Sequence, residues 1–351
     1  MRISAAAPLI SFVILSFGLV SNASADPSWQ SGMRWLETMA FAAHQTNYTG
    51  TFIYQYGSQV ETSRITHVVD RNGEHGRLER LDGKRLEIIR NNDQVWCYVG
   101  DHKVRVQPYQ GGREFPALLP EQLTLLNQNY QVKLEPGDDR VAGFHAHAIL
   151  IKPRDSLRYI HKVWAHNDSG LLLKAEVLND RGDVIEQYAF TQLSIGGNID
   201  RSWITKGPPG NDSPKQSVTS ETSTFRTHRE PHQNELPQIT HEFPVGAKVV
   251  PVNSGWRVDG LPPGFKKIAE VSRQIHGKKG PVIQMVYSDG LAGISIFIEK
   301  SDHDEDDHPN LFSQGIIQVY SKPVDDHLVT VVGEVPPQTV MQVADSVRYA
   351  N

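Results

Sequence analysis

Tyr48-Thr49-Gly50-Thr51-Phe52-Ile53-Tyr54-Gln55-Tyr56 is the stretch that decides the fold. Tyr48, Phe52, Tyr54 and Tyr56 hold even positions, and Thr49, Thr51 and Gln55 alternate with them. Successive side chains of a strand point to opposite faces, so this segment reads as a strand with one aromatic face. Such a face needs cover, from the protein's own core, from lipid or from a partner.

Outward from this strand, the pattern continues on the C-terminal side. Gln59 to Val69 alternates through Val60, Thr62, Thr66 and Val68. Asn72-Gly73 and Asp82-Gly83 are hairpin turn signals, because a type I′ turn wants positive φ at both central residues. Lys84 to Arg90, Val95 to Val99 and Lys103 to Val106 complete a meander. On the N-terminal side, Pro27 to Gln45 reads as an amphipathic helix with Trp29, Met33, Leu36 and Ala40 on one face. Phe115 to Asn127 breaks the strand pattern and reads as a loop with a short helix. Its leucines, Leu118 and Leu119 among them, either cap the core or gate a cavity. Tyr130 to Leu134, Val141 to Ile151, Leu157 to Ala165, Leu171 to Leu178 and Val184 to Leu193 are further strands. The expected fold is mainly β: a large curved sheet or half-open barrel holding helices, followed by a smaller α+β domain. If the sheet curls, Phe52, Tyr54, Tyr56, Trp96, Tyr98, Leu118, Leu119 and Trp164 line a concave apolar site. The alternative is that the Trp29 helix and the leucine segment fill that space completely.

The ends and the composition place this fold. Arg2, the apolar run Leu9 to Val20 and Ala23-Ser24-Ala25 have the form of a secretory signal peptide cleaved near Ala25. No cysteine stands at the cleavage point, so the expectation is a soluble exported protein starting near Asp26. Without the leader, 34 basic face 40 acidic residues, a net charge of about −6. That balance argues against nucleic acid as the main partner. Cys97, the single cysteine, reads as a buried structural thiol. Residues 26–203 form the first expected domain. Residues 204–242, rich in Pro, Ser, Thr, Asn and Gly and poor in aliphatics, read as a flexible linker. Residues 243–351 form the second domain, with a hairpin across Ser288-Asp289-Gly290, strands at Gly315 to Tyr320 and His327 to Val335, and a helix after Pro336-Pro337 bearing Val340, Ala344 and Val347 on one face.

No nucleophile elbow, metalloprotease helix, phosphate loop or dinucleotide fingerprint occurs. His145 and His147 share a strand face but have no obvious carboxylate or cysteine partner, so they read as a surface pair. Asp302 to His308 lacks the glycine and final Glu of a calcium loop and reads as a solvated loop. The expectation is a binder with no catalytic residues, metal or cofactor.

Several stretches resemble the RseB/MucB family: Trp35-Leu36, Asn47 to Tyr54, Arg77 to Gly83, Gly255 to Phe265 and Val286 to Ile298. The likeness covers nearly the whole chain after the leader. It implies a first domain similar to the lipoprotein carriers LolA and LolB, an unclosed barrel with a helical plug and an apolar cavity. It implies a second domain that helps grip the periplasmic part of a membrane-spanning anti-sigma factor of RseA/MucA type. Trp256, Leu261, Phe265 and Tyr287 are the candidate partner contacts. The family shields that partner from the site-1 protease and lets go when lipid or lipopolysaccharide fragments bind, so it negatively regulates the envelope-stress sigma factor in the periplasm. The alternative is a lipid or lipoprotein carrier of LolA type. Self-association into a homo-oligomer is left open.

Overall fold

The computed structural model describes residues 27–99, 102–106, 115–120, 123, 126–206, 249–274, 280–301 and 308–350. The expected leader, residues 207–242 of the expected linker and Asp302 to Asp307 lie outside the described residues, while residues 204–206 of that linker instead close a short helix.

A helix, α1 (Pro27–Gln45), precedes a meander of six strands: β1 (Tyr48–Tyr56), β2 (Gln59–Asp70), β3 (Gly73–Arg80), β4 (Leu86–Asn91), β5 (Gln94–Val99) and β6 (His102–Val106). A short helix, α2 (Leu126–Asn129), leads into β7 (Tyr130–Leu134), β8 (Asp139–Val141), β9 (Phe144–Pro153), β10 (Ile160–His166), β11 (Leu172–Leu178) and β12 (Val184–Ile195). All twelve strands join one antiparallel sheet in the order β6-β5-β4-β3-β2-β1-β12-β11-β10-β9-β7, with β8 paired to β9 off this path. Among the described residues, the edges β6 and β7 do not pair with each other, so the sheet they form is open rather than a closed barrel. Two sequence expectations shift here. Val141 to Ile151 is split into β8 and β9 by positive φ at Ala142 and Gly143. Leu157 to Tyr159 precede β10 instead of belonging to it.

Helix α1 buries Met33, Leu36, Met39, Ala42 and Ala43, a face that includes Met33 and Leu36 as expected while Ala40 is half-buried. Met33, Leu36 and Met39 join Tyr48, Phe52, Tyr130, Ile149, Ile151 and Val163 in a single core. A large buried apolar side chain of this kind contributes about 1.5–3 kcal/mol, so the shared core fixes the helix on the sheet.

After α3 (Ser202–Lys206), the second domain begins with β13 (Val249–Pro251), β14 (Trp256–Val258), β15 (Lys266–Gln274), β16 (Pro281–Ser288) and β17 (Gly293–Lys300). It continues with β18 (Asn310–Gln314), β19 (Ile317–Val324), β20 (His327–Gly333), α4 (Pro337–Asp345) and β21 (Val347–Tyr349). Seven strands run β13-β15-β16-β17-β20-β19-β18, and β14 pairs with β21. Val340, Val343 and Ala344 of α4 pack on Ile294, Ile296, Val329 and Val331. Val347, expected on the helix, instead lies in β21 opposite Val258. Strand β15 had no strand signal in the sequence because charged residues interrupt it and its Ile268 faces solvent.

Candidate functional site

Residues directly opposite each other in neighbouring strands share a face, so the register sorts the candidate cavity residues. Phe52, Tyr54 and Tyr56 of β1 stand opposite Phe190, Tyr188 and Glu186 of β12. The face continues through Ala175 and Val163 to Ile149, whose neighbour His147 lies 4.8 Å from the Trp35 ring of α1. This is the helix-covered face of the sheet. Phe115 packs over it, with ring centroids 5.0 Å from Phe52, 4.9 Å from Phe190 and 5.6 Å from Tyr188. Leu118 and Leu119, half-buried, pack against the same core.

Trp96, Tyr98 and Trp164 are on the other face. Trp96 aligns through Ile89, Arg77 and Thr66 with Thr49, and Tyr98 through Glu87, Glu79 and Arg64 with Thr51. Trp164 aligns through Lys174 and Ala189 with Ile53. Its indole donates to Asp139 at 2.7 Å, and the Lys174 and Lys162 ammoniums lie 4.6 and 5.0 Å from its ring. These three aromatic residues were grouped with Phe52 by composition. Strand register, which a sequence pattern leaves free by one residue, puts them on the other face, where Trp164 is nonetheless buried and belongs to the same contiguous core as Phe52. Cys97 takes the place on the Phe52 face instead and is half-buried rather than buried.

At one end of the aromatic face stands an acidic group. The Tyr54 hydroxyl donates to Glu186 Oε2 at 2.9 Å, and the Tyr54 ring stacks on Tyr188 at 4.5 Å. Burial pushes the Glu186 carboxyl up to about 7, against the pull of hydrogen bonds from Tyr54 and the Ile316 backbone N–H, and Glu334 adds to the rise. Burial and the Glu186 charge hold the Tyr54 phenol far above its usual range, so it acts as a donor.

Ile316 belongs to the second domain, and this contact is one of several along a seam. Arg158, whose side chain is fully buried, donates through Nε to Asp289 Oδ2 at 2.6 Å. The Tyr130 hydroxyl donates to the same oxygen at 2.9 Å, while Asp289 Oδ1 accepts the Leu291 and Ala292 amides at 2.9 and 2.8 Å. Arg158 also donates to Asp155 and to the Pro263 carbonyl, and its guanidinium lies 5.2 Å from the Phe265 ring. Gly264, at φ 86°, rests so closely on Asn129 that any side chain there would collide with the Asn129 amide. Thr339 and Gln338 of α4 donate to the carbonyls of Leu157 and Ser156 at 3.1 and 3.0 Å.

Family models for the MucB/RseB N-terminal domain and the MucB/RseB C-terminal domain match residues 31–207 and 251–348. The chain belongs to the MucB/RseB family. Sigma factor AlgU regulatory protein MucB of Pseudomonas aeruginosa is 32% identical over 321 residues, 90% of each chain. Sigma-E factor regulatory protein RseB of Salmonella typhimurium is 25% identical over 350 residues, 97% of this chain and 96% of that one. Among solved structures, the Pseudomonas aeruginosa MucA/MucB complex matches with a TM-score of 0.67 at 28% identity, covering 92% of this chain and 99% of that one. MucB alone matches with a TM-score of 0.59 at 27% identity, covering 91% and 98%.

In this MucB/RseB chain the four candidate partner contacts lie mostly inward. Trp256 and Tyr287 are 7% and 5% exposed and belong to the core of the second domain. Leu261 and Phe265 are half-buried against that core, and Phe265 also faces Arg158 of the first domain. The conspicuous Leu261-to-Phe265 segment is therefore occupied by an intramolecular contact. Of the expected histidine pair, His145 meets Asp138 at 2.5 Å and His147 packs on Trp35. Among the described residues, no cluster of three His, Cys, Asp or Glu is arranged to hold a metal. Glu186, Tyr188 and Phe190 were within reach of the sequence, since they alternate along β12. Arg158 and Asp289 were not: each reads locally as an ordinary strand or turn residue, and only the docking of the domains brings them together.

Proposed function

We propose that this MucB/RseB member is a periplasmic, non-enzymatic regulator that binds the periplasmic segment of a MucA-type anti-sigma factor. The observation that carries this reading is the family match through both domains, to a family whose Pseudomonas member regulates the sigma factor AlgU and has been solved with MucA. The leader read in residues 1–25 delivers the chain to that compartment. Bound there, it shields the anti-sigma factor from the site-1 protease and keeps the envelope-stress sigma factor inactive. Lipid or a lipopolysaccharide fragment reverses this by occupying the aromatic face. An acyl chain takes the place of Phe115, Leu118 and Leu119 over Phe52, and each buried CH2 contributes about 0.8 kcal/mol. The lipid needs only a preference for the partner-free state to shift the equilibrium.

The test is a pull-down of the intact chain with the periplasmic segment of its organism's anti-sigma factor, with and without lipopolysaccharide. Binding that lipopolysaccharide competes away supports the regulator. Absence of binding in both conditions, with lipid still co-purifying, refutes it in favour of a LolA-type carrier.

A further inference from the structure

Glu186 stands where the two domains touch, and it is 5% exposed. Its carboxyl is approached from both domains. From β1, the Tyr54 hydroxyl donates to it at 2.9 Å. From the second domain, the turn between β18 and β19 supplies the Ile316 backbone N–H as another donor. Gly315 in the same turn sits so near that a Cβ there would be 2.9 Å from Glu186 Oε2 and 3.3 Å from Tyr56 Cβ. Its φ of 57° suits glycine, so the turn is shaped to approach this closely. Glu334, just after β20, adds a second negative charge. Tyr188 lies beside Glu186 on β12, with Glu61 of β2 acting on that phenol. Tyr159 faces it from the loop before β10, its hydroxyl accepting from the Gln318 amide at 3.3 Å. His161 of β10 lies in the same cross-strand row, through Val177.

A carboxyl buried among phenols, a backbone turn and another acid is favourable when neutral and costly when ionised. We propose that protonation of Glu186 sets how firmly the β18–β19 turn of the second domain docks on the first: the neutral carboxyl holds the turn, and the carboxylate loosens it. Lifting the turn admits water and returns the group toward its ordinary behaviour. The docked state therefore binds more protons than the undocked one. Docking is strongest below about 4.5, weakens as pH rises through about 7, and is constant above. The full difference corresponds to a ratio of about 300-fold in local docking, an upper bound reached if the undocked carboxyl is fully solvated. This property belongs to the free chain and holds whatever partner the protein binds.

The Ile316 amide reports the contact directly. Hydrogen exchange at that amide is measured on the intact chain from pH 5 to 8, divided by the intrinsic chemical rate at each pH, with β16–β17 ladder amides as reference. The expected result is a protection factor that falls by about ten- to 70-fold between pH 5 and 8 in the unmodified chain and stays flat in Glu186→Gln. Tyr54→Phe removes a donor that favours the ionised form, so its midpoint moves to higher pH. The proposal is overturned if protection in the unmodified chain does not fall, if Glu186→Gln follows the same profile, or if the Tyr54→Phe midpoint stays in place or moves down. The Tyr54→Phe arm decides the matter even if Glu186→Gln does not fold.

Discussion

Replacing Arg158 with methionine should weaken the seam between the domains by a calculable amount. Methionine keeps much of the packing of the arginine stem but removes the ion pair at 2.6 Å and the donation to Asp155 and to the Pro263 carbonyl. Asp289 is then left buried with three donors: the Tyr130 hydroxyl at 2.9 Å and two backbone amides at 2.9 and 2.8 Å. Removing one partner of a buried pair costs about 3–5 kcal/mol, most of it from the stranded charge. The three remaining donors place Arg158→Met near the lower end, about 3 kcal/mol. Adding Asp289→Asn neutralises that charge and keeps an oxygen for the Leu291 and Ala292 amides. The double variant should then recover about 1–2 kcal/mol relative to the sum of the single ones. Urea titrations of the four proteins, followed by tryptophan fluorescence, give the cycle. A cost below about 1 kcal/mol for Arg158→Met, or strict additivity, would refute the view that the pair is a coupled, buried interdomain contact.

Two more predictions rest on the sheet. Phe52→Asp puts a charge on the helix-covered face against Phe115 and Phe190 and should abolish lipopolysaccharide binding, while Trp96→Asp, on the opposite face, should leave it within about twofold; a binding isotherm for each variant checks this, and equal losses would show the register assignment to be wrong. Burial pushes the Glu74 carboxyl up, but hydrogen bonds from His44 and His67 at 3.1 Å outweigh it and hold the group well below the carboxylate range. A depressed carboxyl contributes stability that is present above about 4.5 and lost as pH falls toward its folded value, so Glu74→Gln should cost about 1–2 kcal/mol at neutral pH and flatten the acid limb of a stability profile from pH 7 to 3.

What the sequence made legible was local. Alternation at Tyr48 to Tyr56 and the Asn72-Gly73 turn specify strands and hairpins, because side-chain period and positive φ are properties of a few adjacent residues. Hairpin connectivity then yields most of the sheet order without further information. Which face Trp96 and Trp164 occupy depends on pairing across four or more strands, and a bulge at Thr51/Phe52 in the β1–β12 pair shows how one residue resets the count. Burial of Asp289 was less accessible still. In sequence it is the middle of Ser288-Asp289-Gly290, a turn that exposed residues normally fill, and 131 positions separate it from Arg158. Leu261 to Phe265 hid a contact for the same reason: nothing local announces that its Pro263 carbonyl and Phe265 ring are engaged by Arg158.

The aromatic face and the seam are adjacent, which constrains how any occupant of one is felt at the other. Phe115 stacks on Tyr188 at 5.6 Å, Tyr188 stacks on Tyr54 at 4.5 Å, and the Tyr54 hydroxyl holds Glu186 at 2.9 Å. Phe190, Tyr188 and Glu186 are alternate residues of one strand, so they move with one backbone. Proximity of this kind does not itself transmit a signal; transmission requires an element with two arrangements that both sites bias. The β18–β19 turn, held at Glu186 by one backbone N–H and close glycine contact, is the element to which the proposal above assigns two arrangements. The Arg158–Asp289 pair, in contrast, takes part in six hydrogen bonds and anchors another part of the seam. On the two proposals above, a ligand that displaces Phe115 from Tyr188 should act first on the turn, while the Arg158–Asp289 contacts keep the domains together.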